Sequence, residues 1–440
     1  MSAVSINTTT PASPQAAHAA AMATPLVIAG YPLVETLRTC RIQTAAASAV
    51  KGAGYGRAPV GQISASDHLW THADRDIVTP ANDLLYFCAW INLADAPAVI
   101  SVPAASGRYF VIELLDAYTE NFINLGIRNV PPAGGRFVLR GPSTPAAPAA
   151  AATDAIEVTC PTDLVWLLGR VLVSGAADLA AARDYMQGFK LESRSALPAS
   201  VRLWQDSGDA ALDFFANLMH GMAEFPAPAG AGDLTALVTA LGFKAGDVDA
   251  LSRANPRVLE GLRAAYTGGM RIIEAHTVSQ TRKPWGYSTR LGRWNGNLLL
   301  RATTAMKGLG ALCAEETIYA MADFDGAGEP LDGVRRYAIR FAPDGLPPAD
   351  AFWSVSLYGA DRYFAEHPAH RHAVGDRTAG LTFDADGSLT IPIQHQRPGT
   401  HAANWLPAPA APFYLILRLY HPRAEFLSGR YVIPPVTRLE

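Results

Sequence analysis

AVISVPAASGRYFVIELLDAYTENF (residues 98–122) and YAIRFAPDGLPPADAFWSVSLYGADRYF (residues 337–364) follow one plan. Each begins with a short β-branched run, breaks at proline and glycine, and resumes as a longer aromatic strand. In register, Tyr109 and Phe110 match Phe352 and Trp353, and Leu114 matches Leu357. The flanks agree as well. YFCAWINL from Tyr86 sits like YAMADFDG from Tyr319, and VWLLGRVLV from Val165 sits like FYLILRLYH from Phe413, with Arg170 opposite Arg418. The three matches come in one order at similar offsets; two related β units would produce this, and so would the general grammar of strands. The period is longer than that of solenoid repeats.

Between the two β regions the texture changes. ADLAAARDYMQGF, DAALDFFANLMHGMAEF, LTALVTALGF and PRVLEGLRAAYTGGMRIIEAHTV carry apolar residues at three-to-four spacing, separated by Pro or Gly, and read as helices. Strands, helices and strands again give an α+β protein. Its two β-rich domains are expected to be sandwich- or jelly-roll-like and mostly antiparallel, joined by a helical segment. The expected boundaries are a disordered leader over 1–23, an N-terminal β-rich domain over 24–175, helices over 176–314 and a C-terminal jelly-roll-like domain over 315–440. PLVIAGYPLVETLRTCRI reads as a helix interrupted near Gly30-Tyr31-Pro32.

Hydrophobic residues make up 49% and charged residues 17% of the 440, the balance of a globular chain. A formal net charge of -3 with scattered Lys and Arg gives no basic groove or patch, so neither nucleic acid nor membrane is an expected partner. No run approaches a membrane span, and the start of the chain lacks the basic region of a secretory signal, so the cytoplasm is the expected location. Cys40, Cys88, Cys160 and Cys313 lie far apart and are expected to be buried free thiols. No glycine-rich dinucleotide or phosphate loop follows a strand, and no cofactor is expected. His367, His370 and His372 crowd into HPAHRH without a helical H-E-x-x-H arrangement, which speaks against a metal.

Several strand ends carry chemistry. In DGSLTIPIQHQRPGTHAANWLPAP (386–409), alternation puts Leu389, Ile391, Ile393 and His395 on one face, so His395 is expected to point inward as an acid/base. Asn404 and Trp405 follow in a loop and suit a pocket mouth; the alternative is a long loop pinned by its own side chains, with His395 a satisfied core histidine. Arg418 shares a face with Tyr414, Ile416 and Tyr420, and Arg170 shares one with Trp166, Leu168 and Leu172. A guanidinium buried there needs a partner. Either each Arg pairs internally with a strand acid, or one of them grips a ligand carboxylate. Asp116, Tyr118, Asn121, Trp353 and Tyr358 complete the candidates; Asp116 falls on the Phe110, Ile112 and Leu114 face and Glu113 on the other.

YPLVE, VTPANDLLYFCAWINL, GRYFVIELLDAYTENF and DLVWLLGRVLVSG resemble the family called domain of unknown function 1254. PLDGVRRYAIRFAPDGLPPADAFWSVSLY, DGSLTIPIQHQRPG, NWLPAP and FYLILRLYHP resemble its usual C-terminal companion, domain of unknown function 1214. The resemblance implies two β-rich domains around a helical middle and leaves activity open. Many members look exported. The family's T-P-N-x-D becomes Thr79-Pro80-Ala81-Asn82-Asp83 here, which shifts Asn82 by one position, so no role is carried over to it.

The expected function is an enzyme converting a small, partly apolar organic molecule, of hydrolase or lyase type in a catabolic pathway. His395, Arg418 and Asp116 would be catalytic. Tyr118, Asn121, Arg170, Trp353, Tyr358, Asn404 and Trp405 would bind substrate. The alternative is a non-catalytic protein that binds a carbohydrate or small molecule, for instance a sugar stacked on Trp405 and Trp353. A homodimer is a further expectation.

Overall fold

The computed structural model describes residues 13–49, 56–145, 154–247, 249–277 and 282–440. The first twelve residues of the expected leader lie outside these. From Pro14 onward the leader is helix.

Seventeen strands form four sheets among the described residues. In the first unit, β1 (Ser64–Ala65), β2 (Leu84–Asn92), β4 (Phe110–Asp116), β5 (Asn121–Gly126) and β8 (Leu164–Leu172) form one sheet in the order β1-β2-β8-β4-β5. A second sheet, in the order β7-β6-β3-β9, comprises β3 (Ala98–Val102), β6 (Gly135–Arg140), β7 (Ile156–Thr159) and β9 (Lys190–Glu192). The second unit repeats the design. Its inner sheet has the order β10-β16-β12-β13, from β10 (Thr317–Ala322), β12 (Ala349–Gly359), β13 (Ala373–Gly375) and β16 (Phe413–Pro422). Its outer sheet has the order β15-β14-β11-β17, from β11 (Arg336–Phe341), β14 (Leu389–Gln394), β15 (Leu406–Pro407) and β17 (Thr437–Leu439).

The orders correspond strand for strand: β2-β8-β4-β5 matches β10-β16-β12-β13, and β7-β6-β3-β9 matches β15-β14-β11-β17. Even the exceptions repeat. Pairing is antiparallel except between β6 and β7 and between β14 and β15. Register agrees too: Arg170 lies between Tyr86 and Val111, and Arg418 between Tyr319 and Ser354. The duplication read from the sequence is thus a duplication of fold. The first unit extends to Glu192 rather than to residue 175, because β9 pairs with β3.

Each unit is a sandwich with its own core. Phe87, Phe110, Ile112, Leu114 and Leu167 fill the first, and Ile318, Ile339, Trp353, Leu357 and Leu415 the second. The other face of each inner sheet joins a third, shared core with the helices. That is why β2, β8 and β16 are apolar on both faces. Fully burying one such side chain stabilises the fold by about 1.5–3 kcal/mol.

Helix α1 (Pro14–Gln43) runs through the shared core, packed on α4 (Ala210–Glu224), α5 (Leu234–Ala240), α6 (Pro256–Ala275) and α7 (Leu298–Gly308). Two short helices, α2 (Leu179–Met186) and α3 (Ala199–Arg202), precede α4 in the chain. No break occurs at Gly30-Tyr31-Pro32. Pro25 and Pro32 both sit inside α1, each at a cost of about 3 kcal/mol that the burial of Leu26, Val27, Leu33 and Leu37 offsets. Contact with α6 is close enough that a Cβ on Gly261 would lie 2.5 Å from the Ala16 carbonyl oxygen. Contrary to the sequence expectation, α1 has the length and apolarity of a membrane span, yet half of its most apolar stretch is buried inside the protein.

Candidate functional site

Period-two alternation aims one face of each inner sheet at the shared core, and that face carries both arginines. Trp166, Leu168, Arg170 and Leu172 project from β8, and Tyr414, Ile416, Arg418 and Tyr420 from β16. Between the two sheets and α7 lies a cavity of about 280 Å³. Tyr86, Arg170, Tyr319, Arg418, Tyr420 and Lys307 contribute its polar lining, and Leu300, Leu309 and Ile416 are among its apolar residues.

The two cross-strand pairs are near copies. The Arg170 guanidinium lies 5.8 Å from the Tyr86 ring centroid, and the Arg418 guanidinium 5.7 Å from that of Tyr319. Such contacts favour the cation in a desolvated site. Their hydrogen-bond partners differ. Arg170 donates from Nη1 to Glu113 Oε2 at 2.8 Å and from Nη2 to the Gly310 carbonyl at 2.7 Å. Arg418, 2% exposed, donates from Nη1 to Tyr358 Oη at 2.7 Å and Ser356 Oγ at 3.3 Å, and from Nη2 to the Thr79 carbonyl at 2.6 Å. Among the described residues no carboxylate lies within salt-bridge distance of Arg418. Of the two fates open to the arginines, Arg170 has the internal ion pair and Arg418 does not.

Lys307 brings a third cation. Its Nζ donates to the Thr277 carbonyl at 2.8 Å, lies 3.4 Å from Asp323 Oδ1, and sits 4.9 Å from the Tyr414 ring centroid. Burial pulls its pKa down, with Asp323 opposing. Burial pushes the Glu113 carboxyl up to about 7, with Arg170 opposing. Asp83, the last residue of the TPAND segment, acts on Arg418 through space, and that attraction opposes the burial that raises the Asp83 pKa.

The TPAND segment closes the cavity on the side of the second unit. Thr79 has φ 53° and turns its carbonyl to Arg418. Tyr358 donates its hydroxyl to the Pro80 carbonyl. The Ala81 amide donates to Tyr86 Oη at 2.8 Å, and Ser354 donates to Asp83 Oδ2 at 2.6 Å. Asn82 donates to the Trp70 carbonyl within its own unit.

The other expected site residues lie elsewhere. His395 does not point inward: β14 ends at Gln394, alternation stops there, and the exposed imidazole is held through Nδ1 at 2.9 Å from the Ala408 carbonyl. It borders a separate outer depression beside Arg397 and His401. Asn404 is buried and pins its loop, donating to the carbonyls of Thr382 and Thr390 at 2.7 and 2.9 Å. Trp405 donates from Nε1 to the Gln394 carbonyl at 2.8 Å, and Trp353 packs on Phe341 inside the second sandwich, so neither offers a sugar platform. Asp116 closes a turn by accepting from the Tyr118 and Glu120 amides, both at 2.8 Å. Tyr118 donates to the Phe225 carbonyl at 2.9 Å. Asn121 bonds Asn124 and accepts from the Cys313 amide at 3.0 Å. Asp116 thus serves its own turn through Oδ1, its Oδ2 being buried without a hydrogen-bond partner among the described residues, while Tyr118 and Asn121 tie the turn to segments distant in the sequence. Tyr358 stands behind Arg418 as its acceptor. Of the expected residues only Arg170 and Arg418 line the cavity.

His367 and His372 are packed, His367 beside the His395 carbonyl at 2.9 Å and His372 against the Phe364 ring. Among the described residues no three side chains assemble as a metal site. All four cysteines are free and buried.

Sequence reasoning did not single out Lys307 or Tyr319 as site residues, and it carried Tyr86 only as a residue at the head of a strand. The two tyrosines head the matched strands YFCAWINL and YAMADFDG, and their pairing with the matched arginines carried the signal. Lys307 lies four residues after Thr303 on α7, so helical spacing puts both toward the cavity.

Residues 60–193 match the family described as "Protein of unknown function (DUF1254)" and residues 316–424 the one described as "Protein of unknown function (DUF1214)". No curated protein matches the chain. A crystal structure of the VPA0106 protein from Vibrio parahaemolyticus is similar at 23% identity and a TM-score of 0.68, covering 96% of this chain and 100% of that one. It shares the fold, helical middle included. An uncharacterized protein from Burkholderia cenocepacia aligns at 14% identity and a TM-score of 0.47 over 96% of both chains. By its two matched regions, in this order and flanking one helical middle, the chain belongs to the family that joins a DUF1254 unit to a DUF1214 unit.

Proposed function

We propose that this chain takes a small organic anion with an apolar body into the cavity between its two β units, with Arg418 holding the charged end. One observation carries the reading: a guanidinium 2% exposed lines a mostly apolar cavity and, among the described residues, hydrogen-bonds only uncharged oxygens, with Asp83 acting on it through space alone. Burying a charge without a counter-charge costs several kcal/mol. An anionic ligand removes that cost, and the apolar lining rewards a hydrocarbon body.

The enzyme reading keeps one support of its own, the buried Lys307 amine in the same cavity. A lysine whose pKa burial depresses is suited to proton transfer. His395 has no part in it, because the imidazole is exposed on the far side of the second sandwich.

The test pairs aromatic and aliphatic carboxylic acids with their methyl esters, using thermal shift for binding and mass spectrometry for turnover. Acids are expected to raise the melting temperature and esters to leave it unchanged, with the effect lost in Arg418→Met. Substrate loss that Lys307→Met abolishes while acids still bind makes the chain an enzyme. Equal response to acids and esters, or acid binding retained by Arg418→Met, overturns the reading.

A further inference from the structure

The two arginines are equivalent by fold, and only one of them has a built-in carboxylate. In the matched register Val111 corresponds to Ser354, so Glu113 corresponds to Ser356. Both residues hold the same post: each accepts from Nη1 of its arginine, Glu113 at 2.8 Å and Ser356 at 3.3 Å. One unit therefore neutralises its guanidinium internally, and the other has a hydroxyl where the first has a charge. The difference has a physical consequence, since the first arginine is hydrogen-bonded to a carboxylate and the second is not: Asp83 acts on Arg418 only through space and is itself held by Ser354.

We propose that the ligand is a monocarboxylate that supplies at Arg418 the negative charge Glu113 supplies at Arg170, and that Ser356 is the residue which leaves that place to the ligand. This rests on the anion-binding reading above. The donor count fits. A guanidinium has five N–H groups, and the three bonds of Arg418 leave the Nε–H and one Nη2–H. Two donors are what a planar carboxylate takes, whereas a phosphate would keep an oxygen desolvated and unpaired. A second carboxylate on the ligand would be desolvated in the cavity without a cation of its own, because Arg170 already has Glu113. Lys307 already has Asp323.

Two measurements test this, one of them without a variant. On the wild-type protein, calorimetric titration compares a monocarboxylic acid with the dicarboxylic acid of equal chain length. The monoacid is expected to bind about tenfold tighter or more. Equal or tighter binding of the diacid overturns the proposal. The second measurement uses Ser356→Glu, which gives Arg418 an internal carboxylate. It is expected to lose acid binding by a similar factor while its melting temperature holds or rises. If Ser356→Glu folds and binds acids as wild type does, this proposal fails while the anion reading stands. If wild type binds no acid of either kind, the anion reading itself fails.

Discussion

The Tyr109 hydroxyl donates a 2.7 Å hydrogen bond to Glu316 Oε1 and so ties the edge of β4 in the first unit to the start of β10 in the second. The same carboxylate lies 2.9 Å from His421 Nε2 and accepts from Arg128 Nη2 at 2.5 Å. It is buried, and three partners from both units converge on it. Burial alone would raise its pKa, but His421, Arg128 and Tyr109 together hold it below the usual glutamate range.

A depressed carboxylate stabilises the fold above its unfolded pKa and loses that contribution as pH falls through the folded value. Glu316→Gln is therefore expected to cost about 1.5–3 kcal/mol at pH 7, the worth of a hydrogen bond to a charged group. The difference from wild type should shrink as pH falls below about 4. Urea unfolding at pH 7 and near pH 3.5 measures it. A cost that stays constant with pH would refute a role for the charge.

Glu113 gives the opposite sign. Its folded pKa, raised to about 7, exceeds the ordinary 4.5, so the native state binds the proton more tightly than the unfolded chain does. That contribution is full below about pH 4.5 and fades as pH rises to about 7. Glu113→Gln should flatten stability across this window, because the amide keeps an acceptor for Arg170 and cannot titrate. Unfolding midpoints at pH 5 and pH 7 check it: the wild-type difference should exceed that of the variant. Equal differences would mean that Arg170 keeps Glu113 ionised throughout.

The fold was legible because strand alternation and turn residues are local signals, and because they occurred twice. Matching Arg170 with Arg418 recovered a register that the sheets reproduce. Half of the site followed from it. The other half comes from α7 and the TPAND turn, which reach the cavity through tertiary packing that no spacing in the sequence encodes. His395 misled for a related reason. Alternation predicts a side only while the strand continues, and β14 stops one residue earlier. The Asn404 loop had two readings, a pocket mouth or a loop pinned by its own side chains, and its hydrogen bonds to Thr382 and Thr390 are those of the second. In α1, proline argued for a break that packing overrides.

Asn404 and His395 should now separate cleanly. Asn404→Ala leaves the Thr382 amide and two carbonyls without their buried partner, which costs about 1–3 kcal/mol. His395→Ala removes an exposed ring with one backbone contact and should change stability by about 0.5 kcal/mol or less. Neither substitution should alter acid binding in the cavity. Loss of binding in a stably folded His395→Ala protein would return the outer depression to consideration.

The matched units also predict how one core position tolerates change. Phe87 lies directly opposite Gly169 on β2 and β8, and a Cβ on Gly169 would fall 2.1 Å from the Phe87 ring. The corresponding pair in the second unit is Ala320 opposite Leu417. One unit thus has large over small and the other small over large, two ways of filling a similar space. Gly169→Leu alone should be severely destabilising, since the ring has nowhere to go, and Phe87→Ala alone should cost about 3–5 kcal/mol through the cavity it leaves. Together they install the arrangement of the second unit, and the double variant should be more stable than either single one. Four unfolding curves give the coupling, expected to be favourable and about 1–3 kcal/mol. Simple additivity would mean that the two sandwiches share a topology without sharing a packing solution at this position.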